Sequence, residues 1–352
     1  MRFIVPFILS VASYVPVIQA LRYRGADFSS LINLENSGHV YSDSKSAPGA
    51  KFETILHNHG ANLARIRIWT STNDANYSLQ YGLALGKRAF AAGLELYIDL
   101  HYSDTWADPS HQAIPSGWPK DLPSLSAQVF NYTTNVVKSF SSQGTPIKFI
   151  EIGNEINSGM LWPTGQTSTA NGFSPLSQLL HSAASAVRAA APATKVMIHL
   201  ANGWNLTAVS NFYSRVFIPG QLSPNDIDVM GFSIYPFRES AATLSALESS
   251  LQNITLTYEK DIMVVETDWP FDCPGVTLSE SSIPVSTAGQ STWMTDIKNI
   301  LAGLPGGHGL GIAYWEPGWL GSASLGSGCV DNLLVDSTGK TRSSISMFSS
   351  FM

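Results

Sequence analysis

Short apolar runs alternate along this chain with longer stretches whose apolar positions recur every three to four residues. The runs predict strands at 23–28, 62–69, 94–102, 147–155, 195–200, 228–235, 262–267 and 309–315. The periodic stretches predict helices at 51–59, 78–92, 124–141, 175–190, 207–217, 241–257 and 287–302, and near the C-terminus, with Gly60 and Gly93 placed as stops. Between the first strand and the first of these helices the residues are rich in Gly, Ser and Asp and read as loop.

Eight apolar strands, each followed by a helical crossover, imply a parallel sheet covered by helices. Eight such units close on themselves more readily than they form an open sheet. No linker, repeat or low-complexity run divides them, so the expected fold is one α/β domain, a single (β/α)8 TIM barrel over 21–352. Gly25 is isolated, and the Gly307-His308-Gly309-Leu310-Gly311 run precedes a strand, so neither forms a dinucleotide-binding turn.

Residues 1–20 read differently. Arg2 precedes an apolar run, 4–18, that closes at Gln19-Ala20, which is the pattern of a secretory signal peptide and is too short to span a membrane comfortably. Export is the expectation, to an extracellular location. Four Asn-x-Ser/Thr sequons, at Asn76, Asn131, Asn205 and Asn253, agree with it. The only two cysteines, Cys273 and Cys329, would suit one disulfide in an oxidising compartment, with two buried free thiols as the alternative.

Composition narrows the partner. A net charge of −6 with no basic block argues against nucleic acid or an anionic membrane surface. The 9 Trp, 12 Tyr and 16 Phe instead suit a neutral ligand gripped by stacking. No cofactor is expected.

In a barrel of this kind the loops after the strands' C-terminal ends build the active site. Those ends are loaded with polar groups here: Arg67 and Trp69 on the second strand, Asp99, His101 and Tyr102 on the third, Asn154 and Glu155 on the fourth. His199 and Asn202 follow on the fifth, Tyr235 on the sixth, Glu266 on the seventh, Trp315 and Glu316 on the eighth. The fourth and seventh strands lie across the barrel mouth, so Glu155 and Glu266 are placed to flank one glycosidic bond. Retaining glycosidases need two carboxyls about 5–5.5 Å apart, one to protonate the leaving oxygen and one to attack the anomeric carbon.

Arg67 and Tyr235 are expected to hold Glu266 ionised by donating hydrogen bonds, which makes it the nucleophile and Glu155 the acid/base. Zinc held by Asp99, His101 and His199 is a weaker reading, because no His-x-His stands at the end of the first strand. His57-Asn58-His59 lacks a matching carboxylate, and no Gly-x-Ser-x-Gly elbow supports a serine hydrolase.

The motifs are specific enough to name a family. His101-Tyr102-Ser103-Asp104-Thr105-Trp106-Ala107-Asp108-Pro109, Gly153-Asn154-Glu155, Leu161-Trp162-Pro163, Tyr235-Pro236-Phe237, Val265-Glu266-Thr267 and Tyr314-Trp315-Glu316-Pro317 together resemble the arabinogalactan endo-β-1,4-galactanases, family 53 of the glycoside hydrolases. The resemblance runs over essentially the whole chain after residue 20. It implies a monomeric enzyme that hydrolyses β-1,4-galactan, a side chain of plant pectin, with retention. It supports Glu155 as acid/base and Glu266 as nucleophile.

It also implies pairing of Cys273 with Cys329, as in fungal members, and no metal, because the 318–331 loop is shorter than the calcium-binding loop of bacterial members. Substrate contacts are expected from Asn154, His101, Asp104, Trp106 and His199, with Trp315 under the scissile sugar and Trp69, Trp162 and Trp319 as further platforms. The chain departs from the family pattern at Ala201, where Asp is usual, and at Arg238, where an aromatic or small polar residue is usual. Related barrel glycanases acting on mannan or glucan, and a carbohydrate-binding barrel without turnover, are the competing readings.

Overall fold

The computed structural model describes residues 21–71 and 77–349, so the expected signal peptide and the Asn76 sequon lie outside the described residues. Eight parallel strands close a barrel: β1 (Tyr23–Asp27), β2 (Leu63–Ile68), β3 (Glu95–Leu100), β4 (Ile147–Ile152), β5 (Lys195–Leu200), β6 (Val229–Ile234), β7 (Asp261–Thr267) and β8 (Gly309–Trp315). Each pairs with its sequence neighbours, and β8 returns to β1. The helices are α1 (Leu31–Asn36), α2 (Phe52–Asn58), α3 (Leu79–Ala91), α4 (Leu122–Ser142), α5 (Ser174–Ala190), α6 (Leu206–Val216), α7 (Leu244–Tyr258) and α8 (Thr287–Ala302). None of the described helices is long and apolar enough to cross a membrane.

Alternation along the strands explains both layers of the core. One set of positions, such as Ile66, Ile98, Ile150, Ile198 and Val264, packs outward against the helices. The other set fills the barrel with Tyr23, Leu63, Tyr97, Phe149, Met197, Val229, Met263 and Val265. Two residues further along β2 to β5, the inward positions become Arg65, Asp99, Glu151 and His199, all buried. Each strand therefore turns from apolar to polar as it approaches the barrel mouth.

Five of the eight described helices, α3, α4, α6, α7 and α8, start at side-chain caps. Ser78, Asp121, Asn205, Thr243 and Ser286 each accept a hydrogen bond from a backbone N–H of the first turn. Asp121 begins α4 earlier than the predicted 124, because Pro123 is tolerated in a first turn where its missing N–H costs nothing. Gly60 ends α2 with φ +100, and a Cβ there would meet the Phe348 carbonyl at 2.2 Å. It serves as a stop and as the seat of the C-terminal segment.

Three departures from the sequence reading stand out. The stretch after β1 forms α1, whose Leu31 and Leu34 are buried, where loop was expected. The expected C-terminal helix is only a 3-10 turn, Ser343–Phe348. After β4 the chain adds a small antiparallel hairpin, Gly159–Met160 with Gly165–Gln166, in place of a plain loop.

Candidate active site

The loops at the C-terminal ends of the strands enclose a cleft lined by Glu155 and Glu266, with Arg65, Asn154, Tyr235, His101 and Asp108 around them. Trp106, Trp315 and Trp319 form its aromatic wall. Glu155 and Glu266 reach it by different local devices. Glu155 follows a turn made by Gly153 at φ +109 and itself adopts φ +47, a left-handed conformation uncommon for a residue with a side chain. Such conformations persist where the surroundings over-determine them, often at functional sites.

Glu266 depends on a bulge between β6 and β7. Phe232 pairs with Val264, but Ser233 pairs with Glu266, so Val265 is an extra residue. Val265 points into the barrel core, and strict alternation would then send Glu266 outward to the helices. The bulge re-aims it into the mouth beside Ser233.

Arg65 is the electrostatic centre. Its guanidinium lies 3.0 Å from Asp27 Oδ2, 3.0 Å from Asp99 Oδ2, 3.2 Å from Glu151 Oε2 and 2.7 Å from Glu266 Oε1. It also donates to Asn154 Oδ1 at 2.9 Å. Tyr235 donates its hydroxyl to Glu266 Oε2 at 2.8 Å. Burial, then the charge on Glu266, raises the Tyr235 phenol well above its ordinary range, so it remains a donor. Glu155 is raised for related reasons: burial first, then the charge on Glu266. The two carboxyls thus occupy unequal surroundings, one met by donors and one pushed towards its protonated form.

The expected role of Arg67 is corrected. It does not touch Glu266; it pairs with Glu316 Oε1 at 2.6 Å and with Asp27 Oδ1 at 3.4 Å. Arg67 stands two residues further up β2, about 6–7 Å along the strand, where the carboxyls of neighbouring β1 and β8 capture it. Its flat face lies 4.2 Å from the Tyr77 ring centroid, 4.5 Å from that of Trp106 and 5.3 Å from that of Trp319. It braces the aromatic wall, and Arg65, two residues earlier on β2, holds Glu266.

The other sequence-predicted residues divide. Asn154, His101, Trp106, Trp315 and Trp319 line the cleft. Trp106 is 39% exposed and stacks on Trp319 at 6.1 Å between centroids. Trp69 is buried, donating to His101 Nδ1, so it supports the wall from behind. His199 is completely enclosed. Asp104 ties its loop by accepting from Thr70 Oγ1 and Ser116 N, both at 2.7 Å, and does not reach the cleft. Trp162 lines an adjoining groove with Trp106 and Gln112.

Arg238 lines the cleft, whereas Ala201 is buried with its carbonyl bonded to Asn157 Nδ2. Cys273 and Cys329 form a disulfide between the loops after β7 and β8. Asp99, His101 and His199 are committed to other hydrogen bonds, and no group of acidic, His or Cys side chains among the described residues is arranged to hold a metal. Missed from the sequence were Arg65, Asp108 and Ser233. Alternation from Leu63 to Arg65 to Arg67 carried the signal for the first.

A (β/α)8 barrel with paired carboxyls and tryptophans at the C-terminal mouth defines a glycoside-hydrolysing enzyme. The model of glycosyl hydrolase family 53 matches residues 23–348, and the chain belongs to that family. An arabinogalactan endo-β-1,4-galactanase from Thermothelomyces thermophilus is 44% identical over 94% of this chain and 99% of its own length. The arabinogalactan endo-β-1,4-galactanase A of Aspergillus niger is 44% identical over 98% of this chain and 99% of its own. Among solved structures, one described under two fungal β-1,4-galactanases superposes with a TM-score of 0.90 at 44% identity, covering 94% of this chain and 99% of that one. The family 53 catalytic domain from Ignisphaera aggregans superposes at 0.79 with 28% identity, over 97% and 99%.

Proposed function

We propose that the protein is a secreted endo-β-1,4-galactanase that cleaves galactan side chains of pectin with retention of anomeric configuration. The observation that carries the reading is the unequal pair of carboxyls in one cleft. Glu266 accepts from Arg65 and Tyr235, which orients its oxygens for attack on the anomeric carbon. Glu155, pushed towards its protonated form, supplies the proton to the departing oxygen. In the second step Glu155 takes a proton from water, which attacks the glycosyl–Glu266 ester and frees the sugar with its original configuration.

Trp106, Trp315 and Trp319 offer stacking faces to the apolar sides of galactose rings, with Asn154 beside the reacting centre. Relatives named as galactanases over nearly the full chain support the choice of linkage. Export is supported by the apolar 4–18 run and by the disulfide. Glycosylation belongs to the same proposal; Asn131 and Asn253 are exposed on α4 and α7, while Asn205 caps α6 through its side chain.

The test is Glu266→Ala assayed on galactan, mannan and cellulose. Reducing-sugar release by the unaltered protein is expected from galactan. The variant is expected to lose about 10⁴-fold or more in kcat while still binding galacto-oligosaccharide. Near-normal turnover by the variant, or equal turnover of mannan by the unaltered protein, overturns the reading.

A further inference from the structure

Three guanidinium groups line the cleft, those of Arg65, Arg67 and Arg238. The first two are committed to carboxyls: Arg65 to Asp27, Asp99, Glu151 and Glu266, and Arg67 to Glu316 and Asp27. Both are buried, so their charge is balanced inside the protein. Arg238 differs on each count.

Arg238 follows Tyr235-Pro236-Phe237 in the loop after β6. Phe237 is buried and packs beside Tyr235 at 5.4 Å between centroids, which fixes the loop. Arg238 is exposed, with its guanidinium 5.9 Å from the Phe237 ring centroid. Among the described residues no carboxyl pairs with it, and its side chain makes no hydrogen bond. Two acids stand near enough to ask why. Glu239, beside it in sequence, turns elsewhere and forms no ion pair. Asp268 feels its charge, but burial raises the Asp268 carboxyl well above the usual carboxylate range, and the two share no hydrogen bond. A carboxyl held in its protonated form supplies no counter-charge.

An arginine without a partner, facing a cleft that takes a polymer, is placed to receive an anion from that polymer. Its planar fork matches a carboxylate bidentately. Trp315 packs against Tyr235 at 6.5 Å between centroids, so its stacking face and the Arg238 loop border the same part of the cleft. A galactose ring whose primary alcohol is replaced by a carboxylate keeps its apolar face, and stacking on the indole survives the change.

We propose that Arg238 is a specificity-determining residue that binds the carboxylate of a hexuronate ring in the bound chain, so that the cleft accepts acidic as well as neutral galactan. The proposal deepens the galactanase reading and rests on it. Because the charge contact and the cleavage involve one bound chain, Arg238 holds the uronate a constant number of rings from the bond that breaks.

The probe is β-1,4-galactan with a small fraction of its primary alcohols oxidised to carboxylates, and its methyl ester is the uncharged control. Both are digested with the unaltered protein, Arg238→Gln and Arg238→Lys, and the products are sequenced by mass spectrometry. With the unaltered protein, the acid polymer should give products with the uronate enriched at one position from the new chain end. The enrichment over the ester should be roughly 3–10-fold, the size of one partly enclosed charge-assisted contact. Arg238→Gln removes it, Arg238→Lys retains part of it by keeping the charge without the fork, and added salt weakens it. A merely structural role would change digestion of acid and ester alike and leave the uronate position unmoved.

The same uronate positions in acid and ester digests, or an enrichment that survives Arg238→Gln, overturns the proposal. A binding measurement needs no turnover: Glu266→Ala should bind the acid oligosaccharides more tightly than their esters by calorimetry, and adding Arg238→Gln should abolish the difference; equal affinities in Glu266→Ala also overturn it. Unmodified galactan judges the underlying reading on its own. No reducing-sugar release from it by the unaltered protein removes that reading, whereas normal release with uronate scattered among the products of the acid polymer removes only the role of Arg238.

Discussion

Replacing Arg65 with Met removes the cation from the centre of the mouth while keeping most of the side chain's volume. Four carboxyls lie within 3.2 Å of the guanidinium, and those of Asp27, Asp99 and Glu151 are fully enclosed. Removing one partner of a buried ion pair costs about 3–5 kcal/mol, because the remaining charges stay buried without compensation. A folded unit of about 330 residues unfolds with an entropy near 0.7 kcal/mol per kelvin, so the loss corresponds to roughly 4–7 °C in Tm at neutral pH.

The pH dependence gives the sharper test. Without Arg65 the clustered carboxyls repel, and their folded pKa values rise above the unfolded value of about 4. A group with a raised folded pKa contributes stability that is present at low pH and lost as pH rises through that value. The deficit of Arg65→Met should therefore be largest near pH 7 and shrink towards pH 4.5, as followed by calorimetry at both. A deficit equal at the two pH values, or no deficit, would refute the ion-pair account. Arg67→Met should show a similar pH-dependent loss, because it strands the buried Glu316, while Glu266 keeps both of its partners there.

Two further outcomes follow from the aromatic wall and the disulfide. Trp106→Ala removes an exposed ring stacked on Trp319, and the KM for galactan should rise roughly 3–10-fold with kcat little changed, the size expected for one aromatic contact; a lowered kcat at constant KM would place Trp106 in the chemistry instead. Cys329→Ser opens a cross-link between residues 56 apart in sequence, and a loss of about 2–4 kcal/mol should lower Tm by roughly 3–6 °C. Reductant added to the unaltered protein should reproduce that drop in a thermal melt, and an unchanged Tm in both would show that the bridge contributes nothing.

Much of this molecule is legible in one dimension because a barrel strand is a local object. Period-two apolar runs and capped helices depend on residues a few positions apart, and their regular succession is enough to imply closure. The polarity of the strand ends is equally local: the sequence passes from Leu63 to Arg65 to Arg67 and from Phe149 to Glu151 to Asn154 as each strand nears the mouth. Glu155 and Glu266 could be selected on that basis. The short α1 was missed because six residues between polar loops carry little periodic signal, and its buried Leu31 and Leu34 gain their meaning only against the barrel.

What the linear pattern determined, then, was the architecture and the set of groups delivered to one rim. Which of them meet was decided in three dimensions. Arg65 and not Arg67 reaches Glu266, because a two-residue step along β2 exchanges one circle of neighbours for another. Glu266 faces the cleft because one extra residue in β7 reverses the alternation, a register event set by pairing with β6. His199 meets Glu151, Asn154 and Ser233 at once only because β4, β5 and β6 lie side by side in the closed barrel. Contacts between strands depend on register and reach, and neither is written in the order of residues along a single strand.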